Sequence, residues 1–127
     1  MSQELWQQLK SEAQQIIQQE PLLASYVTAC VLNHNNLKSA LSFILANKLS
    51  DNVMPAAIVQ ELFDKAFSES SNIIEDASCD IKAVFERDAA VSTHLAVILY
   101  MKGFQSIQVH RLAHFLWLND RKELALF

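Results

Sequence analysis

A chain of 127 residues is one domain's worth of polypeptide, long enough to bury roughly two-thirds of its unfolded surface. Hydrophobic residues make up 51% of it and charged residues 19%, with 1 glycine and 2 prolines; this rules against a disordered or loop-rich chain and predicts a compact all-α domain of about seven or eight short helices spanning residues 1–127. Ten basic against 14 acidic residues leave a net charge of −4 and no basic stripe, so neither nucleic acid nor an anionic membrane is an expected partner.

The first helix is predicted from Gln3 to Gln19, with Leu5, Trp6, Leu9, Ala13, Ile16 and Ile17 on one side and glutamines on the other. Its start, MSQELWQQLKSEAQQ, lacks the positive charge and apolar stretch of a secretory leader, and the longest apolar run, Leu95 to Met101, is too short to span a bilayer. Glu20-Pro21 ends the first helix, because the residue before a proline is pushed out of the α region. Pro21 then suits the first turn of a second helix, whose buried side is expected to be Leu22, Leu23, Tyr26, Val27 and Cys30. The two cysteines, Cys30 and Cys79, are too few for a disulfide scaffold and lack metal-ligand spacing; reduced, buried thiols in a cytoplasmic protein are the expectation.

Asn33 to Asn36 form a polar break offering N-caps for a third helix, in which Leu37, Ala40, Leu41, Ile44 and Leu45 recur at helical spacing up to Lys48. After Ser50-Asp51-Asn52, Pro55 is expected in the first turn of a helix turning Ile58, Leu62, Phe63 and Ala66 inward, which closes at Ser68 to Ser71. Asn72 and Glu75 have capping-box spacing and predict a helix with Ile73, Ile74, Ala77, Ile81, Val84 and Phe85 on its apolar side, ending near Asp88. Ser92 or Thr93 caps the next segment, through Leu95, Ile98 and Leu99.

Gly103, the single glycine, marks a local interruption where one backbone could approach another. Beyond it Phe104, Ile107, Leu112, Phe115, Leu116 and Leu118 surround most of a helix that is therefore expected inside the domain. Two polar pairs each share a face of that helix, Gln108 with Arg111 and His110 with His114, and these faces are expected to meet a partner or a site. Asp120 and Glu123 repeat the capping pattern before Leu124-Ala125-Leu126-Phe127, an apolar end without a C-cap signal, where the chain is expected to be cut.

Chemistry-bearing motifs are sparse. His110 and His114 have the i, i+4 spacing with which two imidazoles reach one zinc, but no acidic residue between them and no third ligand complete a set, so no metal is expected. No nucleophile elbow, phosphate-binding loop or dinucleotide fingerprint precedes any helix, and catalytic residues are not expected in this chain. Asp88, after Arg87, stands at the end of a helix, the pole at which a negative charge calls for a cation or a ligand. Charge placement alone leaves a solvated loop aspartate equally open.

The run KGFQ-x-x-Q-x-HR-x-AH-x-LW from Lys102 to Trp117, with Arg87-Asp88 before it, resembles the amino-terminal helical domain of bacterial serine O-acetyltransferases, the acyltransferases that open cysteine biosynthesis. Upstream, EPLLASY (Glu20 to Tyr26), LKSALSFILANKLSDNVMP (Leu37 to Pro55) and CDIKAVFERD (Cys79 to Asp88) resemble further segments in the family's order.

The resemblance implies that the full-length enzyme transfers acetyl from acetyl-CoA, its co-substrate, to the hydroxyl of L-serine. A histidine of a following left-handed β-helix domain, supported by a carboxylate, acts there as the base; that domain, built of hexapeptide repeats, is not in this chain. Asp88 inherits a substrate-binding role toward serine and toward the feedback inhibitor cysteine, while this domain holds no cofactor itself. It also implies self-assembly as a dimer of trimers through the helical surface, and contact with cysteine synthase only through a carboxyl-terminal tail that this chain lacks. Ala89 and Val97 depart from prolines common in the family. A different class of reading is a stand-alone helical interaction module without catalytic activity.

Overall fold

The first helix, α1 (Ser2–Gln19), lays Leu5, Trp6, Leu9 and Ala13 into the core and turns its glutamines to water, as its 3.6-residue period requires. The computed structural model describes residues 2–127, and among these every regular element is helical. Pro21 starts not a regular helix but a tight 3₁₀ turn (Pro21–Leu23), which runs through α2 (Ala24–Val27) into a wide π turn (Thr28–Leu32). The change of winding moves the buried face. Val27, Cys30 and Val31 are inside, whereas Leu22 is 97% exposed and Tyr26 also faces solvent, contrary to the regular-helix expectation.

His34 closes this irregular stretch, with Nε2 at 2.9 Å from the Ala29 carbonyl and Nδ1 at 2.7 Å from the Ser39 hydroxyl. α3 (Leu37–Leu49) follows, its amino end capped by the Asn36 side chain, which accepts from the Ser39 amide. Leu37, Ala40, Leu41, Ser42, Ile44, Leu45 and Ala46 are all buried, so α3 is the helix enclosed on most sides. α4 (Ala56–Glu69) packs along it, with Val59, Phe63, Ala66 and Phe67 inward. Pro55 lies at the N-cap of α4, one residue before the expected first turn, and Ile58 points outward instead of in.

α5 (Ser71–Arg87) begins immediately after, at Ser70, rather than at an Asn72–Glu75 capping box; its N-cap makes no side-chain hydrogen bond. Ile73, Ala77 and Ile81 face the core. α6 (His94–Tyr100) is capped by Thr93, whose hydroxyl accepts the Ala96 amide at 3.0 Å, and buries Leu95, Val97, Ile98 and Leu99 completely. Val97 thus serves as an interior apolar contact.

The break between α6 and α7 (Lys102–Leu118) falls at Met101, which is extended, and not at Gly103, which lies in the first turn of α7. A Cβ at Gly103 would meet nothing within 4 Å, so no close backbone approach explains that residue. α7 is also less enclosed than its apolar content predicts. Phe104, Leu112 and Leu116 are buried, but Ile107, Trp117 and Leu118 are exposed. Two glutamines take interior places instead. Gln105 Nε2 donates to the Ile98 and Leu99 carbonyls at 3.0 and 3.1 Å, satisfying acceptors that the end of α6 leaves free. Gln108 is wholly buried.

α7 ends in a Schellman turn, where the Arg121 amide reaches the Leu116 carbonyl at 2.9 Å and the Asp120 amide the Trp117 carbonyl at 3.3 Å. Asp120 occupies the left-handed position with φ 62°, and α8 (Lys122–Leu126) starts without a side-chain cap, so Asp120 terminates α7 rather than opening α8. No helix among the described residues is long and apolar enough to cross a membrane. Cys30 is buried, but Cys79, expected to be buried as well, is exposed on α5.

Candidate functional site

Asp88 terminates α5 because its backbone turns extended (φ −103°, ψ 108°) while its amide still donates to the Val84 carbonyl at 3.0 Å. Two residues later the chain folds back on it. The Ala90 amide donates to Asp88 Oδ1 at 2.9 Å and the Val91 amide to the Asp88 carbonyl at 3.1 Å, the local turn for which aspartate is well suited. The turn closes without a proline at Ala89. Only Oδ1 is engaged within the turn; among the described residues neither Asp88 nor Arg87 forms an ion pair. The carboxylate therefore sits at the negative pole of a 17-residue helix with an oxygen left for an outside donor.

Asp88 stands on the rim of an open groove of about 640 Å³ between the end of α5 and the start of α7. Val84, Ala89, Met101, Phe104 and Ile107 give it apolar walls, and Asp80, Arg87 and Asp88 supply charge. At one end Asp80 is tied down. Its Oδ2 accepts from Gln108 Nε2 at 2.9 Å and from the Arg111 guanidinium, while Arg111 also donates to Gln108 Oε1 at 2.8 Å. The shared face of Gln108 and Arg111, expected to meet a partner or a site, thus meets α5 within the same chain and holds Asp80, one of the residues lining the groove.

His110 and His114 both lie exposed on α7, along a second depression with Asn72, Asp76 and Leu118. Among the described residues no three His, Cys, Asp or Glu side chains converge as a metal site would require. Neither histidine has a hydrogen-bond partner at a helix contact among the described residues.

Two further groups, Glu12 and His94, escaped the sequence reading. Glu12 of α1 is buried and reaches α6, accepting the Leu95 amide with Oε1 at 2.8 Å and lying 2.9 Å from His94 Nδ1 with Oε2. The signal was present, since Leu5, Leu9, Glu12 and Ile16 share one helical stripe and a lone carboxylate on an apolar stripe implies a partner.

The amino-terminal family of serine acetyltransferases matches residues 5–109 of this chain. The serine acetyltransferase of Haemophilus influenzae is 43% identical over 127 residues, covering 100% of this chain and 48% of that protein. A serine acetyltransferase solved in complex with CoA superposes with a TM-score of 0.97 at 44% identity, over 99% of this chain and 54% of its own. Another, solved in complex with cysteine, gives 0.96 at 44% identity, over 99% and 52%. The chain spans about half the length of the curated relatives it matches. With the family model extending from α1 into the first half of α7 and the helices superposing throughout, the chain belongs to the family of serine acetyltransferase amino-terminal domains.

Proposed function

We propose that this domain is the helical part of a serine O-acetyltransferase, an enzyme that moves acetyl from acetyl-CoA to the hydroxyl of L-serine in the cytoplasm, and that Asp88 is its contribution to the amino-acid site. The observation that carries the reading is the Asp88 carboxylate itself. It ends a helix, has one oxygen bound in its own turn and the other free of partners among the described residues, and faces an open groove. An ammonium group is the complement of such a site, because it relieves the charge at the helix end and supplies donors to a lone carboxylate.

Serine and cysteine present the same ammonium, so one residue serves substrate binding and feedback inhibition. The binding of CoA and cysteine by related serine acetyltransferases supports the same assignment of ligands. Base catalysis and acetyl-CoA binding belong to a second domain in this reading, and the 127 residues alone are expected to show no turnover above background in a CoA-release assay. Pairing of trimers through exposed helical surface, and any contact with cysteine synthase elsewhere in the polypeptide, complete this reading.

The test is Asp88→Asn in the complete enzyme, which keeps shape and removes charge. A charge-assisted hydrogen bond contributes about 1.5–3 kcal/mol, so the Michaelis constant for serine rises about ten- to a hundredfold and cysteine inhibition weakens in parallel. The constant for acetyl-CoA stays unchanged. Normal serine saturation together with normal cysteine inhibition would return Asp88 to a solvated turn.

A further inference from the structure

Stripping water from an unpaired carboxylate costs several kcal/mol, so a buried one needs its own donors. Glu12, only 6% exposed, has three: the Leu95 amide at 2.8 Å, His94 Nδ1 at 2.9 Å and Gln8 Nε2 at 3.1 Å. His94 in turn stacks on Phe85, with centroids 3.9 Å apart and planes inclined by 17°. Phe85 precedes Asp88 by one helical turn, and His94 opens the helix that follows the Asp88 turn. The stack therefore staples the two ends of residues 88–93 together, and Glu12 fastens that staple to α1.

The bonds that Asp88 makes for itself cannot do this work. Those to Ala90 and Val91 lie inside the turn, and the one to Val84 belongs to α5; none ties the turn to another part of the domain. Its orientation is decided at its ends and by Val91, which packs against the core. A carboxylate at the start of α6 also complements the free amides there, adding to the Thr93 cap.

We propose that Glu12 is a positioning residue for Asp88, acting through the Leu95 amide, His94 and the Phe85 stack to hold the Asp88–Thr93 turn where its carboxylate meets the amino-acid substrate. The inference rests on the serine-site reading of Asp88. Small misplacements of a binding group have large kinetic consequences, and because Glu12 acts through Asp88 its effect falls on the amino-acid ligands, serine and cysteine, and not on acetyl-CoA.

The experiment uses the complete enzyme with Glu12→Ala, the shape-preserving Glu12→Gln and Phe85→Leu, each with and without Asp88→Asn. Glu12→Ala and Phe85→Leu raise the Michaelis constant for serine about three- to tenfold, and Glu12→Gln raises it less, while that for acetyl-CoA is unmoved. Amide exchange at Ala90 and Val91 quickens alongside. In the Asp88→Asn background the Glu12 penalty on serine disappears, the non-additivity of residues that act as one unit. A penalty that persists there in full, or serine saturation indifferent to Glu12 and Phe85 while Asp88→Asn still impairs it, overturns the positioning role and leaves the serine-site reading intact. Serine saturation indifferent to Asp88→Asn overturns the serine-site reading, and the positioning role with it. If Glu12→Ala does not fold, Glu12→Gln and Phe85→Leu decide the matter by the same comparison.

Discussion

Glu12 and His94, 82 residues apart in sequence, meet at 2.9 Å, joining the first helix to the sixth across the core. Burial pushes the Glu12 carboxyl upward, but hydrogen bonds from His94, Gln8 and the Leu95 amide, with the charge of His94, outweigh it and hold the group below the ordinary value of 4.5. A folded-state value below the unfolded one means that the stabilisation is present above the unfolded value and is lost as pH falls through the folded value. Urea midpoints of the wild-type chain therefore fall on acidification below about 4.5. Asp51, held down by the Met54 and Val53 amides, titrates in the same direction, so the contribution of Glu12 is read as the flattening of this profile in Glu12→Gln.

The Asp80, Gln108 and Arg111 brace is expected to be structural. Gln108→Leu leaves Arg111 without its second acceptor and Asp80 without one donor, both partly buried, and an unmet hydrogen-bonding group costs about 1–3 kcal/mol. Equilibrium urea unfolding measures the loss. A variant as stable as wild type would show that the brace contributes nothing net.

Asp120 holds a left-handed conformation that favours glycine, at the C′ position of the Schellman turn. Relief of that strain makes Asp120→Gly more stable by about 0.5–1 kcal/mol, after the greater entropy glycine loses on folding is counted. Thermal unfolding with an upward shift of the midpoint is the expected outcome; a downward shift would show that the aspartate side chain is favourable there.

Exposed apolar side chains concentrate toward the α7–α8 end, where Trp117, Leu118, Leu126 and Phe127 are each between 45% and 71% exposed. Such groupings mark interfaces in folded proteins. Sedimentation of the 127-residue chain at high micromolar concentration is expected to show self-association, weakened by Leu118→Ser with Leu126→Ser. A clean monomer would remove the idea.

Much of the architecture was legible in the sequence because it depends on local rules. Helical spacing marked the buried stripes of α1, α3 and α5, and the chemistry of helix ends narrowed two caps to the Asn33–Asn36 cluster and to Ser92 or Thr93, of which the structure uses Asn36 and Thr93. Asp88 could be singled out by its place after a helix, and the resemblance attached serine to it. Local rules also misjudged what depends on winding: a 3₁₀ turn and a π turn rotate Leu22 and Tyr26 outward, because their residues per turn differ from 3.6.

Burial of α7 shows the boundary most clearly. Its apolar residues surround the helix, so hydropathy could not choose a face, and the inner face is marked in part by two glutamines whose partners lie on α6 and α5. Likewise, the sequence placed Glu12 on the stripe shared by Leu9 and Ile16, but two of the three donors that make its burial tolerable, His94 and the Leu95 amide, come from α6, 82 and 83 residues further on. The sequence by itself determined the helical class, the buried stripes of α1, α3 and α5, and the polar clusters that contain the Asn36 and Thr93 caps. Only the tertiary structure decided which polar groups went inside, because the free energy of burying a polar atom depends on partners that the chain supplies from elsewhere.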